Sequence, residues 1–157
     1  MNKIPMTSSG YDMLQKELKK LINEDRPNII AAIAEARSHG DLSENAEYQY
    51  AKEQQSLIEG KIQELEATTA LAEIIDVSQL SGNEIKFGAT VEIEDDDNGN
   101  KSSYQIVGEY ESNIENKKLS INSPLARGLI GKTKDDLVEI NSPKGIKSFT
   151  ILSVKFI

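Results

Sequence analysis

Two carboxylates, Asp41 and Glu44, stand three positions apart in the string Arg37-Ser-His-Gly-Asp-Leu-Ser-Glu-Asn-Ala-Glu-Tyr48, with a hydroxyl, Ser43, between them. Carboxylate oxygens are the natural ligands of a hard divalent cation such as Mg²⁺. The same spacing suits a capping box, with Asp41 as N-cap and Glu44 at N3, or Ser43 as the cap with Asp41 left free. On spacing alone capping is the commoner use. Two carboxylates are too few for a dedicated Mg²⁺ cage, and the positive end of a helix dipole beside them weakens cation binding further. The pair gains a metal role only where another molecule completes the coordination shell. His39 is the sole histidine; with no triad partner in the pattern it reads as a polar residue of the turn.

The elements that carry this string follow from hydrophobic spacing. Thr7, Ser8 and Ser9 offer N-caps to a helix starting near Tyr11 or Asp12. Apolar residues then fall at Leu14, Leu18, Leu21, Ile29, Ile30, Ile33 and Ala34, one stripe at three-or-four spacing. Pro27 removes a helical hydrogen bond and predicts a kink within one long helix. Gly40, after Arg37, Ser38 and His39, closes it. A second stripe, Ala51, Ile58, Ile62, Leu65, Thr69 and Ala72, ends near Ile75. Two long, narrow-striped helices joined by a short turn predict an antiparallel two-helix coiled coil. The second helix, roughly thirty residues, would reach about 45 Å, with the carboxylates at the far end of a probe.

A change in composition marks the second part. Residues 1–76 hold nine of the eleven Ala and no Val, whereas residues 77–157 hold all five Val and seven of the ten Gly. Val77 to Asn83 reads as the linker, giving an N-terminal coiled coil at 1–76 and a second domain at 84–157. Strands are expected at 89–94, 104–107, 118–121, 137–140 and 148–154, with Asn98-Gly99 as a hairpin turn. Ser123-Pro124 opens one short helix that Gly131 closes. The fold class is therefore α+β: the coiled coil plus a small antiparallel sheet with one short helix.

The composition also excludes. Without Cys there is neither a disulfide framework nor a thiolate metal site. The net charge of −8, of which −6 falls on residues 1–76, argues against autonomous binding of nucleic acid, which needs a cationic surface. No apolar run is long enough to span a membrane, so a soluble cytoplasmic protein is expected.

The strings Ile4-Pro-Met-Thr7, Arg26-Pro-Asn-Ile-Ile30, Ile33-Ala-Glu-Ala-Arg37, His39 to Tyr48, Phe87-Gly-Ala-Thr-Val91, Tyr104-Gln-Ile-Val-Gly108 and Ser123 to Lys132 span nearly the whole chain. Together they resemble the bacterial GreA/GreB transcript cleavage factors. The resemblance implies an FKBP-like fold for the C-terminal domain, docked at the rim of the RNA polymerase secondary channel, and a coiled coil inserted into that channel. It implies a monomeric cofactor of polymerase, with no membrane partner. Such a protein is no enzyme itself; it stimulates polymerase's own cleavage of backtracked nascent RNA. Asp41 and Glu44 would then help hold a Mg²⁺ shared with the polymerase site, and Ser43 would orient water. Arg37 and Lys52 would face the RNA 3′ end. Asn45 and Tyr48 would support the shape of the tip. The rivals are a channel-binding regulator without cleavage, which the intact acidic pair opposes, and an FKBP-like prolyl isomerase or chaperone, which the scarcity of aromatics opposes.

Overall fold

Thr7 decides where the first helix begins. Its Oγ1 accepts the Gly10 N–H at 3.1 Å, a capping bond to the third helical residue, and α1 runs over Ser8–Lys20. The start lies three or four residues earlier than the apolar spacing predicts. A computed structural model describes residues 3–40 and 45–157 of the chain. Asp41, Ser43 and Glu44 thus lie outside the described residues.

The helix passes Pro27 without breaking. Leu21–Asp25 forms a π-helical segment in which the Arg26 N–H reaches back five residues to the Leu21 carbonyl, and α2 then continues over Arg26–Arg37. Proline lacks an N–H and crowds the carbonyl four residues before it, and one wide turn absorbs both effects. The other arm, α3, is Ala46–Ala70, shorter than the sequence suggests. Residues beyond it form a strand, β2 (Ala72–Ile75), because Ala72 to Ile75 carries β-branched residues and no helix-stabilising period. Arg26 pairs with Glu59, while Asn45 reaches Ala36, so α2 and α3 run antiparallel.

Contacts divide the chain into two units, one built on residues 12–72 and the other on residues 3–11 and 73–157. In the first, Leu14, Leu21, Ala36, Ala51, Ile62 and Leu65 are buried. Ile30, placed in the stripe by its spacing, is 52% exposed, and Ala34 is exposed as well. A seam between two helices covers only a narrow face, and residues one step off it meet water.

The second unit opens with β1 (Ile4–Thr7), which pairs with β2. A five-stranded sheet follows in the order β5-β4-β3-β7-β6, from β3 (Thr90–Asp95), β4 (Lys101–Val107), β5 (Lys118–Ser120), β6 (Leu137–Ser142) and β7 (Gly145–Lys155). All five predicted strands are present. One pairing departs from the antiparallel expectation: β5 lies parallel to β4. Two short 3-10 turns, Glu109–Glu111 and Ile114–Asn116, lengthen the connection enough for a crossover. Helix α4 (Pro124–Leu129) is capped by Ser123, whose Oγ accepts the Ala126 N–H at 3.2 Å. The core joins Ile85, Val91, Ile93, Ile106, Leu119, Leu129, Val138 and Ile151 in one cluster.

Two carboxylates serve this unit structurally. Glu111 accepts from the Thr7 N–H at 2.9 Å and the Thr7 hydroxyl at 2.6 Å, and it fills the space where a side chain on Gly10 would go. Burial raises its pKa against the lowering effect of those two bonds. At the end of β3, Asp95 is buried, accepts the Asp97 N–H at 2.9 Å and pairs with Lys147 at 3.2 Å. The backbone bond from Asp97, ahead of Lys147, lowers its pKa.

Candidate functional site

The end of the helical hairpin can be built from backbone groups outward. Every α-helix leaves carbonyls unsatisfied at its C-terminus and N–H groups unsatisfied at its N-terminus, and a hairpin brings one end of each kind together. At the end of α2 the Glu35 carbonyl accepts from the Ser38 N–H at 3.1 Å and the Ser38 hydroxyl at 2.6 Å. The Ala36 carbonyl accepts from the His39 N–H at 3.2 Å. Gly40 then turns the chain with φ 137°, in the left-handed region expected of it.

On the other side, α3 is capped by Asn45. Its Oδ1 accepts the Tyr48 N–H at 3.0 Å, and its backbone carbonyl receives the Gln49 N–H at 3.1 Å. Its amide nitrogen donates to the Ala36 carbonyl at 2.5 Å. One side chain therefore closes both helix ends. This corrects the capping reading of the acidic pair: with α3 beginning at Ala46, the N-cap is Asn45 rather than Asp41 or Ser43. Asn caps as well as Asp or Ser, and Asn45 stands directly before a run of helix formers, so the signal was present in the sequence but outweighed by the acidic spacing.

The helices approach closely here because the seam residues are small. Ala36 and Ala51 are each 5% exposed. They line a cavity of about 310 Å³ with Ile29, Ala32, Glu35, Glu47 and Tyr50, open to solvent beside the exposed Tyr50 ring. Arg37 and Lys52 directly follow the two alanines, so the basic pair is carried at corresponding levels of the two arms. Arg37 is exposed and makes no ion pair among the described residues. Lys52 is exposed too and donates to Gln55 Oε1 at 3.2 Å. His39 is exposed in the turn.

Among the described residues no three His, Asp or Glu side chains converge as a metal site would require. Asp41 and Glu44, on which the metal expectation rests, lie outside the described residues. The bonds of Asn45 hold the two helix ends, and the exposed cations Arg37 and Lys52 stand near them, one on each arm.

Comparison with known proteins covers both units. Residues 4–74 match the family model described as "Transcription elongation factor, N-terminal", and residues 80–156 match "Transcription elongation factor, GreA/GreB, C-term". The chain is 54% identical over 157 residues to "Transcription elongation factor GreA" of Phenylobacterium zucineum (strain HLK1), covering 100% of each. It is 59% identical over 156 residues to the protein of that name from Beijerinckia indica, covering 99% of each. Among solved structures it is similar to the GreA factor homolog 1 (Gfh1) protein of Thermus thermophilus, 27% identical with a TM-score of 0.45 over 98% of this chain and 99% of that one. A prokaryotic transcription elongation factor GreA/GreB from Nitrosomonas europaea is 19% identical, with a TM-score of 0.43 over 98% of this chain and 100% of the other.

Proposed function

This chain belongs to the GreA/GreB family of transcription elongation factors, and from that premise we propose that it stimulates RNA polymerase to cleave its own backtracked transcript. The helical hairpin enters the secondary channel, and its end meets the extruded RNA 3′ segment at the polymerase active site. The factor is not an enzyme by itself, and it works as a monomer in the cytoplasm.

The observation that carries this reading is the similarity over the full chain, 54% identity across all 157 residues, with the acidic string intact. Asp41 and Glu44 supply carboxylate oxygens, and polymerase supplies the remaining ligands. Together these groups would hold a Mg²⁺, which would supply charge stabilisation and lower the pKa of a water for phosphodiester hydrolysis. Glu44 and Asp41 orient the attacking water and accept its proton, and Ser43 holds that water by a hydrogen bond. Arg37 and Lys52 draw the RNA phosphates toward the loop, Arg37 with the fork geometry that suits a phosphate. The exposed guanidinium of Arg37 supports that use. A free chain of net charge −8 holds RNA poorly, and two carboxylates alone hold Mg²⁺ poorly, so activity is confined to the complex.

The test is a backtracked polymerase complex with end-labelled RNA and Mg²⁺. The wild-type protein shortens the RNA; Asp41→Ala and Glu44→Ala variants do not. Equal cleavage by wild type and both variants would remove the acidic pair from the mechanism. No cleavage above the polymerase's own rate would remove the function.

A further inference from the structure

We propose that Asn45 is a positioning residue for the acidic pair Asp41 and Glu44, acting on the rate of the cleavage step and leaving polymerase binding unchanged. The inference rests on the function just proposed and names what holds its site in shape.

The bond pattern is unambiguous. Asn45 faces a carbonyl, Ala36 O, with one end of its amide and an N–H, that of Tyr48, with the other. Only one orientation of the amide satisfies both, with nitrogen toward α2 and oxygen toward α3. A Ser, Thr or Asp at this position would cap α3 equally well but offer no equivalent donor to Ala36. The choice of Asn is thus explained by the second bond, the one that ties the two arms together.

The tie matters because of what it spans. Residues 37–44 lie in sequence between Ala36 and Asn45, the two residues the bond joins, and both acidic residues of the site are among them. Tying the ends of a loop removes much of its freedom before any partner is met. Placement of reacting groups is sensitive at that scale: a misplacement of about 1 Å costs on the order of 10²-fold in rate. Beneath the tie the seam is made of Ala36 and Ala51, whose small side chains give close approach but little apolar area to hold the ends in register. A polar bond therefore carries the alignment there. Asn45 touches no reacting atom in this account; it acts through Asp41 and Glu44.

Asn45→Asp separates the two bonds. It keeps the acceptor for Tyr48 and suits the helix dipole, but turns an oxygen toward the Ala36 carbonyl and opens the tie. In the backtracked-complex assay, Asn45→Asp is expected to lower the cleavage rate at saturating factor by about 10- to 100-fold. The factor concentration giving half the maximal effect stays within about twofold of wild type, a change of only ~0.4 kcal/mol in binding. Asn45→Ser, a neutral cap too short to reach Ala36, is expected to behave the same way, which separates loss of the tie from the added charge. Amide hydrogen exchange on the free proteins supplies a readout independent of polymerase: exchange quickens in the peptide spanning residues 36–45 and is unchanged along the rest of α3. Wild-type rates at saturation in both variants would overturn the proposal, as would unchanged exchange at residues 36–45. A shift of the half-effect concentration alone would make Asn45 a binding residue instead. A wild-type protein that stimulates no cleavage would sink the function, and the exchange experiment would then still decide whether the tie exists.

Discussion

The two units solve the same problem by opposite means. The sheet unit closes a cluster of large aliphatic residues, from Ile85 to Ile151, almost all of it sealed from water. The helical hairpin has a seam a few residues wide, exposes Ile30, Tyr50 and Leu57 around it, and meets its loop through alanines. The first arrangement derives its order from buried area. The second depends on caps, an ion pair and a proline-spanning π segment, contributions that are individually small. The difference teaches where each unit is vulnerable: large truncations should damage the sheet unit, whereas the hairpin should be most sensitive, in activity rather than stability, to changes at its loop end.

The largest effect expected is functional. Asp41→Ala or Glu44→Ala should lower stimulated cleavage by about 10²-fold or more, the scale of a lost acid–base or water-orienting group, with no change in the thermal transition of either unit. A parallel loss of folded signal would mean that the acidic pair also holds structure, and the contrast between loop and core would blur. Next, Ile106→Ala, at a fully buried position, should cost about 2–5 kcal/mol in denaturant unfolding of the sheet unit while helicity of the hairpin persists. Simultaneous loss of both signals would show that the units do not unfold separately. Smaller still, Ala51→Leu should overpack the narrow seam by about 1–3 kcal/mol and reduce cleavage with it, because the arms must part beside the loop.

Two weaker effects concern charge. Burial raises the Glu111 pKa, so the native unit prefers the protonated form more than the unfolded chain does. The associated stability is fully present below the ordinary carboxylate value and is lost as pH rises through the raised one; Glu111→Gln should flatten that dependence in a melting series. Arg26 lowers the Glu59 pKa through their paired hydrogen bonds, both at 2.8 Å. That contribution has the opposite sign: it is present above the ordinary carboxylate value and fades as pH falls. Both side chains are more than a third exposed, so Glu59→Gln should move the hairpin's helicity only slightly, and less in high salt. A large shift would make this pair, rather than the apolar seam, the main fastening of the arms.

Much of this organisation was legible in the residues themselves. Apolar spacing located both helices, alternation located all five strands of the larger sheet, and Ser123-Pro124 with Gly131 located α4, because these signals are local and periodic. The acidic string and its family resemblance were equally plain. What could not be read were contacts between residues far apart in the chain. Glu111 is 104 positions from Thr7, yet it secures the cap that starts α1 early and explains the bare Gly10. Asp95 is one of four consecutive acidic residues, and Lys147, 52 positions away, distinguishes it from its neighbours. The parallel placement of β5 depends on how a crossover folds back, which no alternation records.

At the loop end the division is sharpest. The residue types that could do chemistry, Asp41, Ser43 and Glu44, and the cations Arg37 and Lys52 beside them, were determined by the sequence alone. Which residue closes the helices was decided by tertiary structure: Asn45 caps α3 through its own neighbours, but its second bond exists only because the hairpin returns Ala36 to its side. A capping preference is a property of a few consecutive residues, whereas a tie between two helix ends is a property of their packing.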